Sequence, residues 1–330
     1  MLNAQNHRLR AGQKEVGHMT QPVRALRAPH AHPLLRRMQR YKYIYLMLIP
    51  VVLYYIVFHY AGMYYAVIAF QDYKPMRGIA GSRFVGLDNF AEFLGGVYAW
   101  RVIRNTLLIN LYQIAFAFTA SIVFALMIHQ MADNRYKNVI QTVTYMPHFI
   151  SIVVVCGLLA EFCESDGLIN DVLAMLGMER TSLLANPRYF RTVFVASDIW
   201  QNVGWGTIIY LATLTGVDPS LHEAAAIDGA GRLQRIWHVN LPALMPVIVV
   251  QLIMRVGRMM LVGFDKVILL YSPATYETAD VISSYVYRRG LSEMDYSYGA
   301  AVGLFNSVVN LIILVSANAF SRRVTGNSLW

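Results

Sequence analysis

The sequence is poor in charge. Only 14% of its 330 residues are Asp, Glu, Lys or Arg, whereas 56% are apolar. A soluble domain carries about 25% charged residues, so this chain cannot build an ordinary water-facing surface. The composition also excludes a collagen and a disordered chain, and two cysteines are too few for a disulfide scaffold.

Motifs for catalysis and metal binding are also missing. The sequence has no nucleotide-binding loop of the form G-x-x-x-x-G-K-[ST], no G-x-S-x-G elbow and no His/Cys cluster with metal spacing. Cys156 and Cys163 lie in or beside one apolar run and are interpreted as packing residues. We therefore predict that the chain is not an enzyme and holds no metal or cofactor of its own.

Positive charge is concentrated ahead of the first apolar run. Residues 1–43 hold nine of the 28 Lys and Arg but only one acid, Glu15. The first 40 residues contain no aromatic side chain, which argues against a nucleic-acid partner. Lys and Arg beside a first membrane span stay in the cytoplasm. Residues 1–43 are thus predicted to be a basic cytoplasmic tail next to the membrane lipid.

Long apolar runs dominate the rest of the chain. A bilayer-spanning helix needs about 20 apolar residues, and such runs lie at 44–70, 106–128, 139–160, 192–214, 243–264 and 300–320. The chain is predicted to be an all-α polytopic membrane protein with about six transmembrane helices. Its membrane domain is placed at 44–321, and a C-terminal tail at 322–330 returns to the cytoplasm.

The loop before the fifth run, EAAAIDGAGRLQRIWHVNLP, has strong local signals. Ser220 and Glu223 have the S-x-x-E spacing of a capping box, and Asp218 adds a helix-start signal. Gly229 interrupts the helical pattern, and Pro242 stands where a new helix would start. The pattern predicts a short helix, a glycine bend and a second short amphipathic helix that together form a rigid knob.

The pattern E-A-A-x-x-D-G-A-x8-[IV]-x-L-P resembles the cytoplasmic loop of binding-protein-dependent ABC importer permeases. Its positions here are Glu223, Ala224, Ala225, Asp228, Gly229, Ala230, Leu241 and Pro242, with Val239 where Ile is commoner. The resemblance implies that residues 215–242 form a coupling loop that docks into a separate ATPase, which binds ATP and Mg²⁺. Two simpler interpretations stay open: Glu223 only caps its own helix, and Gly229 is an ordinary turn.

Two further stretches, YETADVISSYVYRRG and VGFDKVILLY, resemble the polysaccharide and oligosaccharide branch of these permeases. The resemblance implies a bacterial inner-membrane complex with N- and C-termini in the cytoplasm. The other members would be a second homologous permease, two ATPase subunits and an extracytoplasmic solute-binding protein.

Polar residues interrupt several of the apolar runs. An arginine at mid-bilayer costs about 2.5–3.5 kcal/mol, so Arg255 and Arg258 must face protein or water. At about 100° per residue, Gln251 falls within the same narrow arc. We predict that the substrate path is drawn from Asp198, Gln201, Asn202, Trp205, Gln251, Arg255, Arg258, Asn110, Gln113 and Asn306.

Two interpretations of these polar residues stay open. In the first they join helices, with Asp198 pairing one arginine. In the second they line a wet path for an oligosaccharide, and Trp205 stacks on a sugar ring. The second arginine favours an acidic sugar such as an alginate-like uronic acid oligomer, because guanidinium groups match carboxylates. The alternatives are a neutral-oligosaccharide importer, an ion-coupled secondary transporter and a non-transporting receptor or scaffold.

Overall fold

The computed structural model describes residues 40–131 and 135–326. Most of the predicted basic tail and the last four residues of the chain lie outside these ranges. The chain divides into two units, Met1–Ala61 and Gly62–Trp330.

Helices account for nearly all of the described structure. Their bounds are α1 Lys42–Phe70, α2 Asp88–Gly95, α3 Ala99–His129, α4 Arg135–Tyr145, α5 Ile152–Phe162, α6 Leu168–Met175, α7 Pro187–Thr215, α8 Pro219–Ile227, α9 Arg232–Val256, α10 Phe264–Leu270, α11 Ile282–Val286 and α12 Tyr296–Thr325. Short helical turns are Gly78–Gly81, Met146–Phe149, Pro273–Thr275, Tyr276–Ala279 and Tyr287–Ser292. Two-residue strands β1 Gln71–Asp72 and β2 Arg83–Phe84 pair antiparallel, with Gln71 opposite Phe84 and Asp72 opposite Arg83.

Within the described residues, four helices are long and apolar enough to cross a membrane: α1, α3, α9 and α12. Their lengths of 25 to 31 residues exceed the requirement of about 20. The all-α, polytopic fold class is therefore confirmed. The predicted runs at 44–70, 106–128 and 300–320 each lie inside one of these helices.

The third predicted run is not one straight span. The segment Arg135–Phe149 and helix α5 meet at a bend of 97°. Pro147 lies in the 3-10 turn Met146–Phe149 that forms the bend. A proline lacks the backbone N–H that a straight helix would need there. The segment Arg135–Phe149 and helix α5 count as one membrane span only if they cross the bilayer together.

The fourth predicted run lies on α7, which has 29 residues and is about 43 Å long. This helix is not among those apolar enough to span by composition, because polar residues such as Asp198 and Asn202 interrupt its middle. Asn186 caps its start by accepting a hydrogen bond from the Arg188 backbone amide at 3.0 Å. Pro187 occupies the first turn, where its missing N–H is harmless.

The fifth predicted run, 243–264, differs at both ends from the helix in the structure. The helix already begins at Arg232 and stops at Val256, so Pro242 does not start a new helix. The π-helical stretch Ile236–Asn240 comes just before Pro242. Wider hydrogen bonding in such a stretch lets the chain pass a proline without breaking the helix. The predicted amphipathic segment and the fifth span are therefore one continuous rod.

Close helix crossings in the second unit depend on glycine. A Cβ on Gly204 of α7 would collide with the backbone carbonyl of Thr144 in α4. A Cβ on Gly206 would similarly meet the hydroxyl of Ser121 in α3. Aromatic residues such as Phe190 and Phe194 fill the apolar cluster further toward the start of α7.

We expect Gly204→Ala to destabilise the folded protein by about 1–3 kcal/mol, since the added methyl group overpacks a contact with rigid backbone. The measurement is the thermal unfolding midpoint of purified protein in detergent. Gly303→Ala is the matched control, because Gly303 lies in α12 with nothing within 4 Å of its added Cβ. Equal midpoints for the two variants would contradict the close-crossing interpretation.

Candidate functional site

A cavity of about 720 Å³ lies between α3, α7 and α9. Six of the ten predicted path residues line it: Asp198, Asn202, Trp205, Gln251, Arg255 and Arg258. Apolar residues of α3 and α7, such as Phe118 and Ile199, complete the wall. The predicted arc on the fifth span is therefore brought together, although Arg258 lies just past the end of α9 at Val256.

The carboxylate of Asp198 is the hub of the polar wall. Its Oδ1 accepts a hydrogen bond from Asn202 Nδ2 at 2.9 Å, and its Oδ2 accepts one from Gln113 Nε2 at 3.3 Å. A guanidinium nitrogen of Arg255 lies 3.8 Å from the same Oδ2. The arrangement leaves Arg255 40% exposed and its charge only loosely paired.

The second arginine of the cavity is in a different situation. Arg258 is exposed, and no carboxylate of the described residues lies within 4.0 Å of it. The lining therefore holds two guanidinium groups and one carboxylate. The wall has an excess of positive charge that is available to an anionic ligand.

Four predicted path residues do not line this cavity. Gln113 supports Asp198 from α3, whereas Gln201 donates to the Ile150 carbonyl at 3.2 Å and so ties α7 to the bent segment. Asn110 donates back to Thr106 in its own helix at 3.0 Å. Asn306 is buried, and its side-chain oxygen has no partner in the described part of the chain.

His148, which the sequence pattern did not indicate, adjoins the cavity wall through Trp205. Its ring stacks on Trp205 with centroids 4.5 Å apart and planes 4° apart, and its Nδ1 lies 2.9 Å from Asn202 Oδ1. Because Asp198 as a carboxylate only accepts, Asn202 turns its NH₂ toward Asp198 and its oxygen toward His148. His148 Nδ1 must then carry the proton. One face of Trp205 is thus covered by imidazole, and the Phe149 ring packs edge-to-face against the same indole with centroids 5.7 Å apart.

The coupling loop has the predicted order of helix, bend and helix, but its cap differs. The N-cap of α8 is Asp218, whose Oδ1 accepts from the Ser220 backbone amide at 2.9 Å, so the predicted Ser220–Glu223 capping box is wrong. That hydrogen bond lowers the pKa of Asp218. At a pH above the ordinary carboxyl pKa, the ionised Asp218 side chain therefore stabilises α8 in full. This stabilisation is lost as the pH falls through the lowered pKa of Asp218.

A glycine bend ends α8. Gly229 has φ +77°, the Ala230 amide donates to the Ala225 carbonyl at 2.9 Å, and the Gly229 amide donates to the Ala226 carbonyl at 3.1 Å. These are the two hydrogen bonds of a Schellman motif, in which a left-handed residue favours glycine. Nothing lies within 4 Å of a Cβ built on Gly229. The local backbone alone thus accounts for glycine at this position.

The coupling loop exposes three large apolar side chains. Ile227 is 87% exposed, Leu233 81% and Trp237 67%. The same loop has a hollow of about 290 Å³, which is lined by Ala225, Asp228, Gly229, Ala230, Gln234, Arg235, His238 and Val239. Glu223 is also exposed on this loop. Large exposed apolar side chains on one short loop are typical of a protein-binding surface.

Comparison with known proteins adds independent findings. A family described as "Binding-protein-dependent transport system inner membrane component" matches residues 117–326. The polygalacturonan/rhamnogalacturonan transport system permease protein YteP of Bacillus subtilis (strain 168) is 40% identical over 88% of this chain and 91% of its own length. Protein LplB of the same organism is 40% identical over 89% of this chain and 92% of its own length.

A solved structure is also similar throughout. It is a chain of a bacterial alginate ABC transporter in complex with an alginate pentasaccharide-bound periplasmic protein. The sequence identity is 39%, the TM-score is 0.83, and the match covers 90% of this chain and 99% of that chain.

We expect Asp198→Asn and Arg255→Met to be coupled in a double-mutant cycle by about 1 kcal/mol, because each removes the other's partner. The measurement is the unfolding midpoint of the two single variants and the double variant. Asp198→Asn combined with Arg258→Met is the control cycle, and it should be additive since Arg258 does not pair with Asp198. Equal coupling in both cycles would contradict the pairing.

Proposed function

Because the chain belongs to the binding-protein-dependent transport system inner membrane components, and is a carbohydrate permease of the ABC type, we propose that it carries acidic oligosaccharides. In this proposal residues 44–321 form one half of the translocation path. A second homologous permease forms the other half, two ATPase subunits supply the energy, and an extracytoplasmic binding protein delivers the sugar.

The charge of the cavity supports an acidic substrate. Arg255 and Arg258 outnumber the single carboxylate of Asp198 on its wall. Guanidinium groups bind carboxylates through paired hydrogen bonds, and the amides of Asn202 and Gln251 suit sugar hydroxyls. Similar proteins are described as transporting polygalacturonan or the acidic polysaccharide alginate, and both polymers carry uronate carboxylates. The observation that carries the proposal is the unpaired Arg258 on the cavity wall.

The exposed apolar side chains of the coupling loop support a separate ATPase. Ile227, Leu233 and Trp237 are not covered by residues 40–131 or 135–326. A partner that grips this loop would act on α9 directly, because the second half of the loop and the fifth span form one helix. Movement of the loop would thereby reach Arg255 without passing through a flexible joint.

The mechanism follows from a two-state equilibrium. ATP would bring the ATPase subunits together and pull the coupling loop, which shifts the membrane helices from inward-open to outward-open. Each ligand biases this equilibrium only through its different affinity for the two states. The basic tail and Arg322 support a cytoplasmic location for both termini under the positive-inside rule.

We expect Arg258→Ala to raise the apparent KM for a uronate oligomer about tenfold, since one charge-assisted interaction of about 1.5 kcal/mol is lost. Uptake of a neutral oligosaccharide should not change. The measurement is ATP-driven accumulation by the whole complex in proteoliposomes, and Arg258→Lys, which keeps the charge, is the matched control. An identical effect on both sugars would show that the arginine does not select acidic substrates.

We expect Ile227→Ser to reduce co-purification of the ATPase and sugar accumulation at least fivefold, without lowering the stability of the permease, because the side chain is 87% exposed. Val97→Ser is the control, since Val97 is 91% exposed at a site outside the coupling loop. If the Ile227→Ser variant keeps full ATPase binding and sugar uptake, the ATPase docks at another surface.

A further inference from the structure

Lys266 is a buried cation that the described cavity does not use. It belongs to the VGFDKVILLY stretch and lies on the short helix α10, with only 6% of its surface exposed. Its ammonium donates to the Phe194 carbonyl at 3.2 Å and lies 4.9 Å from the centroid of the Phe194 ring. No carboxylate of the described residues lies within ion-pair distance of it.

Burying the Lys266 ammonium costs free energy in this conformation. An ammonium held away from water requires a counter-charge or a full set of hydrogen bonds. One carbonyl and one aromatic face satisfy only part of that requirement, and the surroundings are the apolar cluster of Phe190, Phe194, Val267 and Leu270. A methionine of similar length would fill the space without a charge. The lysine therefore indicates a function in a different arrangement of these helices.

The position of the ammonium relates it to the cavity. Within α7 the Phe194 carbonyl is the hydrogen-bond acceptor for the Asp198 amide, four residues on. The Lys266 ammonium therefore lies about one helical turn from the carboxylate hub. Ile199 lines the cavity and also packs against the apolar cluster around Lys266. This side chain therefore lies between the cavity and the cluster. Asp198 thus has both a cavity arginine and this lysine in its neighbourhood.

The connection between α9 and α10 separates the two helices. Residues 257–263 are not helical, so α10 is not a rigid continuation of the fifth span. The break is held by Asn310 of α12, which donates to the Gly257 carbonyl and accepts from the Met260 amide at 3.2 Å. Beyond this anchor, Gly263 has nothing within 4 Å of an added Cβ. A movement of α10 would therefore pivot at Gly263.

We propose that Lys266 is a further substrate-binding residue for the carboxylates of an acidic oligosaccharide, covered in this conformation and exposed to the path when α10 separates from α7. The inference rests on the proposed function. It extends the row of cations from Arg258 and Arg255 past Asp198. A uronate oligomer, which carries a charge on each sugar, would then meet successive cations along its length.

The first test compares Lys266→Met with Lys266→Arg in the reconstituted complex. Lys266→Met should raise the apparent KM for a uronate oligomer about tenfold, leave neutral-oligosaccharide uptake unchanged and keep or raise the unfolding midpoint. Lys266→Arg should retain acidic uptake. A lower midpoint with equal loss for both sugars would show that Lys266 only fastens α10 to α7 and would overturn the proposal.

The same assay distinguishes the role of Lys266 from the proposed transport of acidic oligosaccharides. A wild-type complex that accumulates no uronate oligomer would overturn both together. Normal acidic uptake by wild type and by Lys266→Met would overturn the role of Lys266 alone, and the acidic-substrate proposal would stand.

Exposure is tested by thiol labelling in a background with Cys156→Ala and Cys163→Ala. Lys266→Cys should react with a membrane-impermeant maleimide only when the binding protein and a trapped ATP state are present. Val267→Cys is the control, because Val267 is fully buried on the same helix, and it should stay unlabelled in both states. Absence of labelling at position 266 in both states, or equal labelling in both, would overturn the proposed exposure.

Discussion

The polar interior of this protein depends on the carboxylate of Asp198. An arginine inside an apolar membrane is costly unless it faces protein or water, and Asp198 offers Arg255 both a counter-charge and a place at a cavity wall. Gln113 and Asn202 donate hydrogen bonds to the same carboxylate. The same hub thus joins three helices and still leaves positive charge available, so structural and functional interpretations of the residue are compatible.

The hub also fixes the bent segment beside the cavity. Asn202 transfers the orientation imposed by Asp198 to His148, whose ring supports Trp205. Gln201 and Gly204 hold the same segment to α7 through the Ile150 and Thr144 carbonyls. A proline break would otherwise be a weak point between two short helices. Its contacts instead hold it beside the cavity, where the His148 ring covers one face of Trp205.

Force and charge are connected through α9. Its first turns belong to the coupling loop with its exposed apolar side chains, and its last turn holds Arg255. A rigid helix of 25 residues transmits a displacement along its axis, whereas two helices hinged at Pro242 would absorb part of it. Beyond α9 the chain breaks, and α10 carries Lys266 into an apolar cluster. The break separates α9, which carries the loop, from α10, which carries Lys266.

The sequence by itself determined the all-α membrane class, the helix and glycine bend before the fifth span, and the polar residues that interrupt apolar runs, because these are visible in local composition and periodicity. It placed the α8 cap two residues too late and broke α9 at Pro242, since caps and π-helical stretches depend on backbone geometry. Only the tertiary structure decided that Asn202 faces the cavity while neighbouring Gln201 binds Ile150. His148 and Lys266 had no periodic signal, because their roles come from contacts with distant parts of the chain. Periodicity fixes the face of a helix, and packing fixes what that face meets.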